Sequence, residues 1–138
     1  MKFEIIAFTA KGAALAEKIA ERYPGSHAFA PARFRGRGVQ ALEGSLADWT
    51  RARFQKGNAL VFIGAAGIAV RAVAPFLKGK SEDAAVLCAD ERGEYVIPLL
   101  SGHLGGANRA AAALADALSA RAVVTTATDT SGVFAVDS

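Results

Sequence analysis

The chain has 138 residues, 52% of them hydrophobic, with 16 basic and 13 acidic side chains and a single cysteine. That length suits one domain with one substantial core, and the hydrophobic share excludes disorder driven by weak hydrophobicity. One cysteine excludes an internal disulfide and a cysteine-based zinc cluster, while the net charge of +3 favours an acidic ligand without pointing to nucleic acid.

The chain opens with a β-branched and aromatic run at residues 3–8, expected to be a strand. Glu4 interrupts the apolar N-terminus, which fits a core strand better than a signal segment. Residues 11–22 place Leu15 and Ile19 four apart among alanines, and Tyr23-Pro24-Gly25 stops the pattern, so a helix is predicted there. Residues 26–44 are rich in Gly, Pro and Arg and read as loop, with at most a short strand at 27–29. Within it, Arg33, Arg35 and Arg37 interleave with Phe34; a solvated loop is expected, with an anion-contacting loop as the alternative. His27 reads as a surface residue.

Residues 45–54 predict a second helix, with Leu46, Trp49 and Phe54 on its apolar side. The unbroken apolar run at 59–63 predicts a buried strand, which turns through Gly64-Ala65-Ala66-Gly67 into a third helix ending near residues 75–80. The whole uncharged stretch from 59 to 70 is well short of the roughly 20 residues a bilayer span needs, so a cytoplasmic protein is expected. Residues 84–89 and 94–99 predict two strands joined by Asp90-Glu91-Arg92-Gly93, a hairpin turn with glycine in place, and Cys88 reads as core filler. After His103 comes a helix carrying Leu104, Ala111, Leu114 and Leu118, then a strand at 122–126. The alternation predicts an α/β fold: an open, mostly parallel sheet with helices on both faces and one antiparallel β-hairpin. Residues 131–138 alternate in hydrophobicity with no room for another layer, so a longer protein is expected.

In open parallel sheets, ligands meet the loops leaving the carboxyl ends of the strands. The loops at 9–12, 64–67, 101–108 and 125–132 are therefore expected to share one rim. Gly64, Gly67, Gly102, Gly105 and Gly106 would let the backbone approach a ligand, and amides at Gly105 and Gly106 could donate to an anion. No phosphate-loop ending and no complete dinucleotide fingerprint is present.

His103 could act as a general base, a carboxylate-binding cation or a metal ligand, or could cap its turn by bonding a carbonyl. Ser101 lacks the G-x-S-x-G setting of a nucleophile and is better explained by turn bonding. Asn108 could bond a ligand or tie the loop to a neighbour. Asp129 could order water or His103, or simply make a turn, and Thr125 and Thr126 place hydroxyls at the rim. Lys11 and Arg71 are candidate carboxylate partners, with solvated helix residues as the alternative.

The segments IGAAGIAVRAVAPFLKGK, VIPLLSGHLGGANRAAAALADAL and TTATD together resemble the N-terminal region of the cobalt-precorrin-5A hydrolases, the CbiG family of anaerobic cobalamin biosynthesis. The similarity is strong over 59–137, weaker over the first strand and helix, and poor over 24–56. It implies hydrolysis of the δ-lactone of cobalt-precorrin-5A, with loss of acetaldehyde, to give cobalt-precorrin-5B. It implies no resident cofactor, because the cobalt arrives inside the corrinoid substrate. Family enzymes carry a C-terminal domain that this sequence lacks, so 1–138 is expected to be an N-terminal α/β domain whose partner is that domain; neither nucleic acid nor membrane is expected as a partner.

The resemblance carries over no catalytic residue. It strengthens the case for the loop at 101–108, with His103 as candidate base and amides near Gly105 and Gly106 as oxyanion donors. Lys11, Arg71, Gly105 and Gly106 would hold the substrate's acid arms, with Gly64, Gly67, Ser101, Gly102, Asn108, Thr126 and Asp129 on the same rim. Cobalt ligation by His103 is a second role. Two further readings stay open: a non-catalytic corrinoid-binding module served by catalytic groups elsewhere, and an anion-responsive regulatory domain.

Overall fold

The computed structural model describes residues 1–103 and 105–127. Leu104, Asp129 and the C-terminal stretch at 131–138 lie outside the described residues. The strands are β1 (Glu4–Ala7), β2 (His27–Ala30), β3 (Val39–Ala41), β4 (Ala59–Ile63), β5 (Ala85–Ala89), β6 (Tyr95–Leu100) and β7 (Arg121–Ala122). They form one sheet in the order β3-β2-β1-β4-β5-β6-β7, parallel except between β5 and β6. The helices are α1 (Ala10–Arg22), α2 (Leu46–Arg53), α3 (Ala66–Val73) and α4 (Ala107–Leu118). The predicted fold class is the observed one.

Helices cover both faces because the central strands are apolar on both. Ile5 faces a core built with Leu15 and Ile19 of α1 and with Ala111 and Leu114 of α4. Its neighbour Ile6 faces the other core, with Trp49 of α2 and Ala69 and Val73 of α3. Trp49 meets Phe29 and Phe62 edge-on at 5.8 and 5.9 Å between ring centroids, a favourable aromatic geometry. Helix α1 starts where Thr9 Oγ1 accepts the Gly12 N–H at 2.9 Å. A β-carbon on Gly12 would stand 3.1 Å from Ala7 Cβ and 3.4 Å from Ile63 Cγ2, so the helix enters tightly against β1 and β4.

The hairpin is fixed by Asp90. One of its carboxylate oxygens accepts the N–H groups of Glu94 and Tyr95 at 2.9 and 2.7 Å, the other accepts that of Arg92 at 3.2 Å, and Gly93 takes the left-handed conformation at φ 71°. Chain direction then reverses: Ala89 pairs with Val96 and Val86 with Leu100. Strand β6 therefore ends beside the start of β5.

Two elements differ from expectation. Strand β3 lies inside the stretch read as loop; it has three residues and buries Val39 alone, too little to show against the Gly and Arg around it. The last strand, expected at 122–126, is only Arg121–Ala122. Its ladder uses the carbonyls of Glu94 and Val96, which accept from Arg121 and Val123 at 2.8 and 2.9 Å. The next rung needs an N–H from Pro98, which has none, so pairing stops and Val123 and Val124 are left exposed.

Replacing Asp90 by Ala is expected to remove about 1–2 kcal/mol of stability, read as a lower urea midpoint; an unchanged midpoint would show that the turn closes without the carboxylate. Cys88 is buried and donates through Sγ to the Gly64 carbonyl at 3.2 Å; burial, then the nearby Asp90 charge, pushes its thiol pKa upward. Because the native value is raised, this stabilisation is full below the thiol's ordinary titration range and is lost as pH rises toward the native value. Iodoacetamide should therefore label Cys88 slowly at pH 8 in the native chain and rapidly in urea; equal rates would contradict this burial.

Candidate functional site

The reversal of β6 overturns the expectation of a single rim. The loops at 9–12 and 64–67 leave the carboxyl ends of β1 and β4, which are parallel neighbours. The loop at 101–108 leaves β6 at the opposite edge: Ser101 Oγ donates to the carbonyls of Ala84 and Asp83 at 3.1 and 3.3 Å, just ahead of β5. Strand β7 runs parallel to β6, so the segment after it arrives at that same opposite edge, where Asn108 Nδ2 donates to Thr126 Oγ1 at 2.8 Å. With β4 five residues long, the two edges stand ~15 Å apart. The four loops form two pairs, because an antiparallel strand delivers its exit loop to the far side of the sheet.

Within the histidine loop, the buried Ser101 adopts a left-handed backbone at φ 62°, unusual for a residue with a side chain. Its hydroxyl, bonded to the two carbonyls before β5, holds that conformation. The chain doubles back on itself: Ala107 N–H donates to Ser101 O and Asn108 N–H to Gly102 O, each at 3.0 Å, and Gly106 N–H donates to His103 O at 3.3 Å. A β-carbon on Gly105 would collide with Ser101 Cβ and crowd its carbonyl, so that position requires glycine for space, while one on Gly102 would come within 2.8 Å of Asn108 Oδ1 and push that side chain aside. Gly106 sits at φ 81° as the residue before α4.

These bonds redefine the expected anion donors. The Gly106 amide is engaged inside the loop, as are the first two amides of α4. Among the described residues, the Gly105 amide has no acceptor. His103 Nε2 and Asn108 Oδ1 are shielded from solvent and likewise have no hydrogen-bond partner among the described residues. A buried polar atom without a partner is costly and calls for an explanation. Here a ring nitrogen, an amide oxygen and a free backbone N–H occur within six residues of one closed turn. Such a set can take a proton from water, accept a hydrogen bond and donate to an oxyanion.

The other edge carries the remaining candidates. Lys11 is exposed in the first turn of α1, and Arg71 is exposed on α3 with its guanidinium folded back to 3.4 Å from where a Gly67 β-carbon would stand. Gly64 joins this edge through its N–H, which donates to Ala89 O at 2.9 Å. Neither cation shares an edge with His103. His27 is exposed at the surface as expected, but it begins β2 and so lies at the strands' amino-terminal edge, where its Nδ1 is 2.7 Å from Glu4 Oε2 and Arg53 Nε donates to Glu4 Oε1 at 3.0 Å. Sequence reasoning missed this trio, whose members are 23 and 49 residues apart in the chain. Among the described residues, no group of three or more His, Cys, Asp or Glu side chains could hold a metal ion, and no helix is long and apolar enough to cross a membrane.

The comparisons with known proteins agree with this architecture. The family model described as Cobalamin synthesis G N-terminal matches residues 48–129. The chain is similar to a cobalt-precorrin-5A hydrolase of Salmonella typhimurium, with 44% identity over 133 residues, covering 96% of this chain and 38% of that protein. It is 34% identical over 140 residues to a cobalt-precorrin-5A hydrolase of Priestia megaterium, covering 98% and 37%. Among solved structures it is similar to a cobalamin biosynthesis protein G homologue from Sulfolobus solfataricus, with a TM-score of 0.67 and 28% identity, covering 90% of this chain and 36% of that one. The chain spans less than two fifths of the length of the curated relatives it matches. A family model that spans more than half of the chain, with relatives aligned over nearly all of it, settles its kinship: the chain belongs to the Cobalamin synthesis G N-terminal family.

Proposed function

We propose that this chain is the N-terminal part of a cobalt-precorrin-5A hydrolase and that the loop at 101–108 works on the substrate lactone. The observation that carries this reading is the 44% identity, over 96% of the chain, to a protein named for that activity. The unpartnered His103 Nε2 supplies the local chemistry. In this reading His103 takes a proton from water as its oxygen attacks the δ-lactone carbonyl, and the Gly105 N–H donates to the oxyanion that forms. Collapse breaks the ring C–O bond; the leaving oxygen regains the proton, giving a hydroxy acid. The hydroxyl freed from the lactone then gives up its proton and becomes the aldehyde carbonyl as the C–C bond joining the two-carbon fragment to the macrocycle breaks; the electron pair and a proton pass to the macrocycle, releasing acetaldehyde and leaving cobalt-precorrin-5B. Asn108, tied to Thr126, holds the loop and offers Oδ1 to the substrate. The cobalt belongs to the substrate.

A second reading has its own support. The cations Lys11 and Arg71 stand on the edge away from His103, and the curated relatives extend far beyond the matched segment. On this reading the chain only holds the corrinoid, and groups elsewhere in the protein perform the hydrolysis.

One substitution separates the two. In a chimera where this chain replaces the matching segment of the Salmonella relative, His103→Gln is expected to slow lactone opening by about 10²–10⁴-fold with little change in substrate affinity. An unaltered rate removes His103 from the chemistry and favours the binding module. The Gly105→Ala chimera should fail similarly, because the added methyl group strikes Ser101 and displaces the loop; wild-type turnover there would show that the turn geometry is immaterial.

A further inference from the structure

The three arginines that the proposed reaction leaves unused stand around a cavity. It measures about 340 Å³ and lies between the first half of α1 and the turn at 33–37, with Arg33, Arg35 and Arg37 on one side and Ala13 on the other. Glu17 is the single acid in its lining. No carboxylate among the described residues comes within 4.0 Å of any of the three guanidinium groups.

The turn that carries them is folded, not a loose loop. Phe34 packs against the α1 core, Phe34 and Arg35 donate to Pro31 O and Ala32 O at 2.8 and 3.1 Å, and Gly36 and Val39 exchange backbone bonds at 3.1 and 3.0 Å. Arg33 lies over the Phe34 ring at 4.7 Å, which orients its planar group. The turn leaves the carboxyl end of β2, beside the first turns of α1, on the edge where open α/β sheets take ligands.

We propose that this pocket binds a small anion bearing clustered carboxylates. Three guanidinium groups against one acid give the lining a clear positive excess, and each guanidinium can grip a carboxylate through two parallel hydrogen bonds. The volume is at the lower end for ligand sites, enough for a compact polycarboxylate or for the acid arms of a larger molecule. The exposed Phe34 face is already covered by Arg33, which disfavours base stacking and hence nucleic acid. The site lies on the opposite edge from His103 and does not rest on the reading of that loop.

Titration of the 138-residue chain with tricarballylate and with the polycarboxylate tetrapyrrole uroporphyrin I tests the proposal. Both should bind at low salt and weaken as salt is raised. Joint replacement Arg33→Gln, Arg35→Gln and Arg37→Gln should lower affinity by at least about tenfold with an unchanged circular dichroism spectrum. Single Arg35→Gln serves if the triple variant misfolds, and is expected to show a smaller loss. The corresponding triple lysine variant, which keeps charge but not the two-pronged geometry, should fall between. Lys56→Gln, which removes one exposed positive charge outside the pocket lining, should bind both probes as wild type does. Tighter binding of the tetrapyrrole assigns the site to a macrocycle's acid arms, and tighter or equal binding of tricarballylate assigns it to a free anion; each supports the pocket. Wild type binding neither probe, glutamine variants binding as tightly as wild type, or equal loss in Lys56→Gln overturns it, and none of these results bears on lactone turnover.

Discussion

The turn closed by Asp90 decides where everything after it in the chain goes. A carboxylate that accepts the backbone N–H groups of Arg92, Glu94 and Tyr95 pulls the chain into a tight reversal, and β6 must then pair antiparallel with β5. Every strand before that turn points one way; every strand after it points the other. Had the chain crossed over through a helix at this point, β6 would have run parallel to β5 and its exit loop would have joined the loops after β1 and β4.

The consequence is a sheet with candidate loops at two opposite edges. Strands β6 and β7, with α4 between them, form a parallel crossover unit of their own, and the histidine loop lies at the carboxyl end of that unit. The arginine turn and the glycine turns lie at the carboxyl ends of β1, β2 and β4. Loops leaving strand carboxyl ends, where such sheets tend to take ligands, therefore face two opposite edges. A small ligand held by Arg33, Arg35 and Arg37 would not reach His103 within this chain, because a strand's length of packed core lies between them.

The histidine loop also shows how a helix terminus can be closed off. The N-terminal amides of α4 are the natural place to seek anion donors, yet Ala107 and Asn108 return theirs to Ser101 and Gly102. That exchange holds Ser101 in its left-handed conformation and leaves no space for a side chain at Gly105. Among the described residues, what this loop leaves without a protein partner is narrow: an imidazole nitrogen and an amide oxygen shielded from solvent, and the N–H of the exposed Gly105. A rigid turn that exposes few partners is better suited to one orienting role than to general anion capture.

Much of this was written locally. The apolar run at 59–63, the Thr9 and Ser45 caps, the Tyr23-Pro24-Gly25 stop and the Asp90-to-Gly93 turn all act through neighbours within a few residues, and three segments taken together, one of them holding SGHLGGAN, marked the family. Even the short last strand had a signal, since Pro98 inside β6 announces where a ladder must fail. The sequence also contained the antiparallel hairpin, whose effect on the rim follows only when strand order is known. Strand β3, the Glu4–His27–Arg53 trio and the arginine pocket depend on residues brought together across many positions, and no local preference encodes which of several buried strands becomes whose neighbour. Sequence by itself determined the elements and the histidine turn, because those are short-range energetics. Only the tertiary structure decided which edge each loop occupies, because edge assignment is set by sheet order and chain direction across the whole core.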